Sequence, residues 1–168
     1  MSSNDSFAIV QPLTLHVNGE DTHIGAALHD TMLTVLRDRM QLTAAKRGCN
    51  QGVCGACTIS IDGAPIRACL SLAHNCESAQ VLTLEGLREL PRMRALQAAF
   101  AENAAFQCGF CTPGMLVSAH ALLESNPHPD DAAIRTALSG NLCRCTGYVN
   151  IIAAVKSAAA ALRQGAPA

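Results

Sequence analysis

Tryptophan is absent from the 168 residues, aromatic side chains make up only 3%, and the single tyrosine is Tyr148. Proteins that hold single-stranded nucleic acid stack its bases on aromatic rings, so that platform is missing. An excess of one charge is missing too. Twelve Lys and Arg stand against thirteen Asp and Glu, a formal net charge of −1, and the basic residues are scattered. A nucleic-acid surface needs them clustered to displace counterions from phosphates; no nucleic-acid partner is expected. Charged residues amount to 15% and apolar ones to 49%, the reverse of a disordered chain. No apolar run approaches the roughly 18 residues of a spanning helix; the longest candidate, 113–123, already contains Ser118 and His120. The start, MSSNDSF, lacks the basic-then-apolar order of a secretory signal. The expectation is a protein with no membrane span, in the cytoplasm, where thiols stay reduced.

Catalytic motifs are missing as well. The chain contains no G-x-G-x-x-G and no G-x-x-x-x-G-K-[ST] loop, and no general base and electrophile stand together to suggest a substrate pocket. The six histidines are dispersed, so no Rieske-type set of two His with two Cys is visible. Catalysis is expected in another polypeptide.

What the chain has is cysteine, nine in all. That is below the density of a disulfide-built miniprotein, and an odd number cannot all pair internally. Metal is the better reading. Cys49-x4-Cys54-x2-Cys57, with Cys69 after eleven intervening residues, is the plant-type spacing for a [2Fe–2S] cluster. Four thiolates must converge on one small volume, so three of them come from one tight loop, GCNQGVCGAC. Its glycines permit positive φ and close backbone approach, and its amides can point at sulfur. Zinc sites usually show two short C-x2–4-C knuckles rather than one triplet loop and a lone Cys69. Cys108-x2-Cys111 and Cys143-x-Cys145, 31 residues apart, leave two readings open: a second metal site, or two thiol pairs without metal. Both pairs read as lying at helix starts, where amides and the helix dipole stabilise thiolates. Cys76 is left over as a buried small hydrophobe or a competitor of Cys69.

The periodicity changes from strand to helix near residues 85–92. Leu13–Val17 alternates and is followed by Asn18-Gly19, a hairpin signal; Glu20–Ile24 returns. Asp30 or Thr31 caps a helix over 32–40, and 58–61 and 65–69 flank a second turn, Asp62-Gly63-Ala64. Residues 81–84 supply a further strand, and 85–91 read as a linker. Helices are expected over 93–100, from Thr112-Pro113 to Glu124, from Asp130, and after Thr146, with Thr112 and Thr146 as caps. The fold class is α+β, a small mixed sheet with one helix across it and then a four-helix bundle. The domains are placed at 11–85 and 92–163, with 1–10 and 164–168 as loose termini.

The segments GCNQGVCGACTISIDG with Cys69, TLEGL at 83–87, QCGFCTPGM at 107–115 and NLCRCTGY at 141–148 resemble the small iron–sulfur subunit of molybdenum hydroxylases, the xanthine oxidase family. The resemblance runs over residues 11–163 and includes all eight expected cysteines. It implies a β-grasp, ferredoxin-like N-terminal domain, a C-terminal four-helix bundle, and one [2Fe–2S] cluster in each. Cys49, Cys54, Cys57 and Cys69 would hold the first, and Cys108, Cys111, Cys143 and Cys145 the second. It further implies electron transfer from a molybdenum–molybdopterin cofactor, in dinucleotide form, on a large subunit. The electrons would pass through the helical cluster and then the N-terminal one to FAD on a medium subunit, in a dimer of heterotrimers. Gln107 and Cys145 match positions that contact the pterin in relatives, and the overall pattern leans towards bacterial enzymes acting on N-heteroaromatics such as quinoline.

Two other readings start from the same cysteines. A free-standing two-cluster carrier would ordinarily be strongly acidic to steer docking, whereas two oxidised clusters at about −2 each bring this chain only to about −5. A zinc-stapled scaffold would be colourless.

Overall fold

The computed structural model describes residues 9–165. The loose termini expected at 1–10 and 164–168 therefore lie mostly outside the described residues. Where they overlap, Val10 already opens the first strand, and Gln164 caps the last helix through its amide on the Ala160 and Ala161 carbonyls.

Five strands form one mixed sheet in the order β2-β1-β5-β3-β4. β1 (Val10–Val17) and β2 (Glu20–Ala27) pair antiparallel around Asn18 and Gly19, at φ 54° and 87°. β3 (Thr58–Ile61) and β4 (Ala64–Arg67) do the same around Asp62 and Gly63, at φ 50° and 82°. Both turns need left-handed backbone at two successive residues, which Asn-Gly and Asp-Gly tolerate. β5 (Gln80–Leu82) lies between the hairpins, parallel to β1 and antiparallel to β3. Leu13, Leu15 and Val17 alternate inward and bury against Met32, Leu33, Leu36 and Ile59.

The helix across the sheet differs from its expectation. α1 (Met32–Thr34) is a single turn, continued by a π-helical turn over Val35–Arg39. Thr31 caps it, its Oγ1 accepting from the Thr34 amide at 3.2 Å. Asp30 instead accepts from the Ala27 amide at 2.8 Å and from Arg39 at 2.5 Å. The expected linker also contains structure: α2 (Leu84–Leu87) buries Leu87 in the helical core.

Four longer helices follow among the described residues, α3 (Pro91–Glu102), α4 (Thr112–Ser125), α5 (Asp131–Leu138) and α6 (Val149–Arg163). α5 begins as expected, with Asp130 accepting from the Ala133 amide at 2.7 Å. Two other expected caps do not form. Cys111 is the N-cap of α4, and the Thr112 hydroxyl is buried without a partner. Tyr148 precedes α6 in the left-handed region, φ 69°, and Thr146 turns its side chain to Cys143 instead. The core of this half joins Phe100, Leu96, Met115, Ile134 and Ile151.

α4 is apolar nearly all round and also buries His120, whose Nδ1 has no partner. Burial, and then the nearby Arg92 charge, hold its pKa below the ordinary value of 6.5. The unfolded chain therefore binds the proton first. The stability contributed by neutral His120 is fully present above about pH 6.5 and is lost as pH falls from there through the lower folded-state pKa. We expect His120→Leu to flatten the pH dependence of denaturant unfolding between pH 7.5 and 5.5. An unchanged slope would show that His120 does not titrate on unfolding.

Candidate metal centres

The loop of Cys49, Cys54 and Cys57 is held at its base by hydrogen bonds to its backbone. Arg37 of the π-turn donates to the Thr43 and Ala45 carbonyls at 2.9 and 2.8 Å, and the Lys46 amide donates to the Ala56 carbonyl at 2.9 Å. Glu85 accepts from the Ala44 amide at 2.8 Å. Cys69 follows β4, where the Ala68 carbonyl accepts from the Leu33 amide of α1 at 3.0 Å. These contacts bring Cys69 onto the loop, so that the Gly52 amide reaches its Sγ at 3.3 Å.

Cys54 neighbours Cys49, and Cys69 and Cys54 both neighbour Cys57. The amides of Gln51 and Cys54 donate to Cys49 Sγ at 3.5 and 3.4 Å and bring that thiol down to about 6. Burial, together with the neighbouring Cys69, pushes Cys57 up to about 11. Gly48 has no room for a side chain, since a Cβ there would stand 2.9 Å from Cys54 Sγ.

The second set spans from the surface to the helical core. Cys145 and Cys108 bring their sulfurs to 3.6 Å at the surface, and Cys111 and Cys143 meet deeper, against the helical core. Burial, and then Cys143, push Cys111 up to about 12. Burial also pushes on Cys143, but the Thr146 hydroxyl and amide, at 3.1 and 3.4 Å, outweigh it and hold that thiol below its ordinary value. Only the first pair adjoins a helix start, Cys111 capping α4. The second lies in a loop ahead of α6, shaped by Tyr148, whose hydroxyl accepts from the Cys143 amide at 2.9 Å and donates to the Asn141 carbonyl at 3.0 Å.

Four thiols in each set, with amides aimed at sulfur, fit a two-iron cluster held by four thiolates. Cys76 shares the sheet-side core with Cys57 and Cys69, but its sulfur donates to the Leu72 carbonyl at 3.5 Å. Gln107 is exposed and donates to the Cys145 carbonyl at 3.1 Å.

The structure adds residues that the spacing could not supply. Asn141, 2% exposed, donates from Nδ2 to the Gly55 carbonyl at 3.0 Å and to Thr58 Oγ1 at 3.2 Å, and accepts from Ser118 at 2.9 Å. Arg67 donates to the Gly140 carbonyl at 2.6 Å and to Thr58 Oγ1 at 2.8 Å. The one sequence signal for Asn141 was its place two residues ahead of Cys143.

Residues 14–102 match the family described as "2Fe-2S iron-sulfur cluster binding domain", and residues 83–156 match the "[2Fe-2S] binding domain". The chain is 46% identical over 146 residues to the nicotinate dehydrogenase small FeS subunit of Eubacterium barkeri, covering 87% of this chain and 93% of that one. It is likewise 46% identical over 146 residues to the nicotine 6-hydroxylase small subunit of Paenarthrobacter nicotinovorans, covering 87% and 88%. The structure of quinoline 2-oxidoreductase from Pseudomonas putida 86 superposes with a TM-score of 0.85 at 43% identity, covering 93% of this chain and 98% of that chain. No helix among the described residues is long and apolar enough to cross a membrane. The chain belongs to the small iron–sulfur subunits of molybdenum hydroxylases, non-catalytic electron-transfer members of oxidoreductase complexes.

Proposed function

We propose that this chain is the electron relay between a molybdenum–molybdopterin site on a large subunit and FAD on a medium subunit, in a cytoplasmic dimer of heterotrimers. The carrying observation is the two sets of four cysteines, each with backbone amide N–H donated to sulfur. When bound, a [2Fe–2S] cluster supplies one-electron chemistry. This chain's residues do the rest. Cys49, Cys54, Cys57 and Cys69 hold one cluster within the unit at 11–85. Cys108, Cys111, Cys143 and Cys145 hold the other within the unit at 92–163.

The helical set is assigned to the molybdenum side. Its Cys108 and Cys145 are exposed, and Phe106, Phe110, Leu142 and Val149 leave apolar surface near it, 45%, 47%, 51% and 72% exposed. A partner that covers such a surface excludes water from the transfer path. Gln107 and Cys145 are the residues proposed to face the pterin, and the Gln107 amide fixes the Cys145 backbone for that contact. Near the other set, Val53 and Leu70 are 61% and 63% exposed, and that face is assigned to the FAD subunit. The substrate class proposed for the complex is an N-heteroaromatic, because nicotinate, nicotine and quinoline appear in the names of the relatives above.

Metal analysis and EPR of the dithionite-reduced complex test the ligand sets. About four irons per chain and two distinct S = ½ signals are expected; about two irons and one signal would overturn the helical site. Co-purification with two larger subunits is expected, and a stable, active lone chain would instead make it a free carrier. Cys145→Ser should slow substrate-driven reduction of both clusters about tenfold or more. Cys145 is exposed at the edge of its set and serine leaves an oxygen donor in its place, so transfer should suffer more than folding. Unchanged reduction kinetics would remove Cys145 from the relay.

A further inference from the structure

The two thiol sets are joined through backbone. The Leu142 amide donates to the Cys54 carbonyl at 2.9 Å. Cys54 belongs to the sheet-side set, and Leu142 is bonded directly to Cys143 of the helical set. From one sulfur to the other, the path therefore crosses only the covalent bonds of Cys54, Leu142 and Cys143 and this single hydrogen bond.

That hydrogen bond is held by what stands beside it. Asn141 precedes Leu142 and Gly55 follows Cys54, and the Asn141 side chain donates to the Gly55 carbonyl at 3.0 Å. Its own orientation is set by the Ser118 hydroxyl of α4, and Arg67 pins the Gly140 carbonyl at 2.6 Å. The backbones approach so closely that a Cβ on Gly55 would lie 2.8 Å from Asn141 Nδ2 and 2.9 Å from Asn141 Cα. A Cβ on Gly114 of α4 would strike the Gly55 carbonyl. Every partner of the Asn141 amide is buried, so a lost bond is not replaced cheaply by water.

We propose that Asn141 is a positioning residue for electron passage between the two clusters, holding the Leu142 amide on the Cys54 carbonyl so that one hydrogen bond bridges the two ligand loops. This role rests on the ligand sets proposed above. In the step it serves, one electron crosses from the helical set to the sheet-side set. The first is oxidised and the second reduced by one electron, with no bond made or broken and no proton moved.

The test uses the full chain in its complex, with Asn141→Ala compared to the unsubstituted protein by three readouts. These are iron per chain, the magnetic interaction between the two S = ½ signals when both clusters are reduced, and internal electron redistribution after pulsed one-electron reduction. Expected in the variant are full iron, both signals, an altered spin–spin splitting and redistribution slowed about tenfold or more. Ser118→Ala, which frees the Asn141 amide while keeping it in place, should shift the same readouts in the same direction by less. It also serves where Asn141→Ala does not accumulate. Unchanged splitting and redistribution in an iron-replete variant would overturn the positioning role. So would loss of a cluster from both variants, which would make Asn141 a support of the loops alone. If the unsubstituted chain lacks a cluster, the ligand sets themselves fail, and that outcome is read from iron content before any variant is compared.

Discussion

A chain carrying alanine at Cys57 is expected to keep about half of its iron. Each set of four thiolates holds two irons, so removing one ligand from the sheet-side set should take about two irons of about four and abolish one EPR signal. Cys57 is the most telling of the four because nothing near it can substitute. It is 3% exposed, lies between buried Ala56 and Thr58, and its thiol is pushed up to about 11 by burial and by its neighbour Cys69. Water has little access and an alanine brings no donor. The helical set contains no residue of this loop and should retain its own signal. Cys76→Ala is the matched control. Cys76 is as buried as Cys69, 5% exposed in each case, but its sulfur is turned to the Leu72 carbonyl, so its loss should leave all the iron in place. Retention of full iron by Cys57→Ala, or loss of iron from Cys76→Ala, would overturn the assignment of the sheet-side ligands.

The parts of this molecule legible in the sequence are those decided by neighbours along the chain. Asn18-Gly19 and Asp62-Gly63 specify their hairpins because two successive left-handed residues are needed and few dipeptides supply them. The Cys49–Cys57 loop is legible for a similar reason, since the spacing itself brings three thiols to one place. The parallel pairing of β1 with β5 is different, because His16 meets Gln80 across most of the N-terminal half and no local pattern encodes that partner. Thr112 and Thr146 were read as caps from residue type alone. At each site a competing geometry wins, with Cys111 taking the cap position and Thr146 drawn to the Cys143 sulfur. The π-turn over Val35–Arg39 keeps the buried face that the helical period predicts, with Leu33 and Leu36 both inward, while widening the backbone. Asn141 opens the segment NLCRCTGY, but its role in the junction is not legible there. Its partner Gly55 is 86 residues away, and an Asn beside a cysteine pair carries no meaning until the two loops are seen to meet.

Two glycine substitutions separate the cost of backbone strain from the cost of breaking this junction. Gly55 and Gly147 both sit in the left-handed region, at φ 70° and 63°, so alanine at either adds strain of about 1–2 kcal/mol. Around Gly147 there is open space within 4 Å, and the strain is the whole effect. Around Gly55 the new methyl meets the Gly140 carbonyl and Asn141, which Arg67 and Ser118 hold in place. Overpacking of this kind adds about 1–3 kcal/mol, for a total of about 2–5 kcal/mol. For a chain of this length about 1 kcal/mol corresponds to 2–4 °C in the unfolding midpoint. Gly55→Ala should then lower Tm by roughly 4–20 °C and Gly147→Ala by roughly 2–8 °C. The two variants should also differ in kind. Prying Gly55 from Asn141 pulls on the Cys54 carbonyl, so Gly55→Ala should alter the interaction between the two reduced clusters, or shed the sheet-side one, while Gly147→Ala leaves the sheet-side signal unchanged. Equal losses of Tm with identical EPR spectra would mean that the glycine at 55 is there for its φ alone, and that the close approach of the two loops has no bearing on how the clusters communicate.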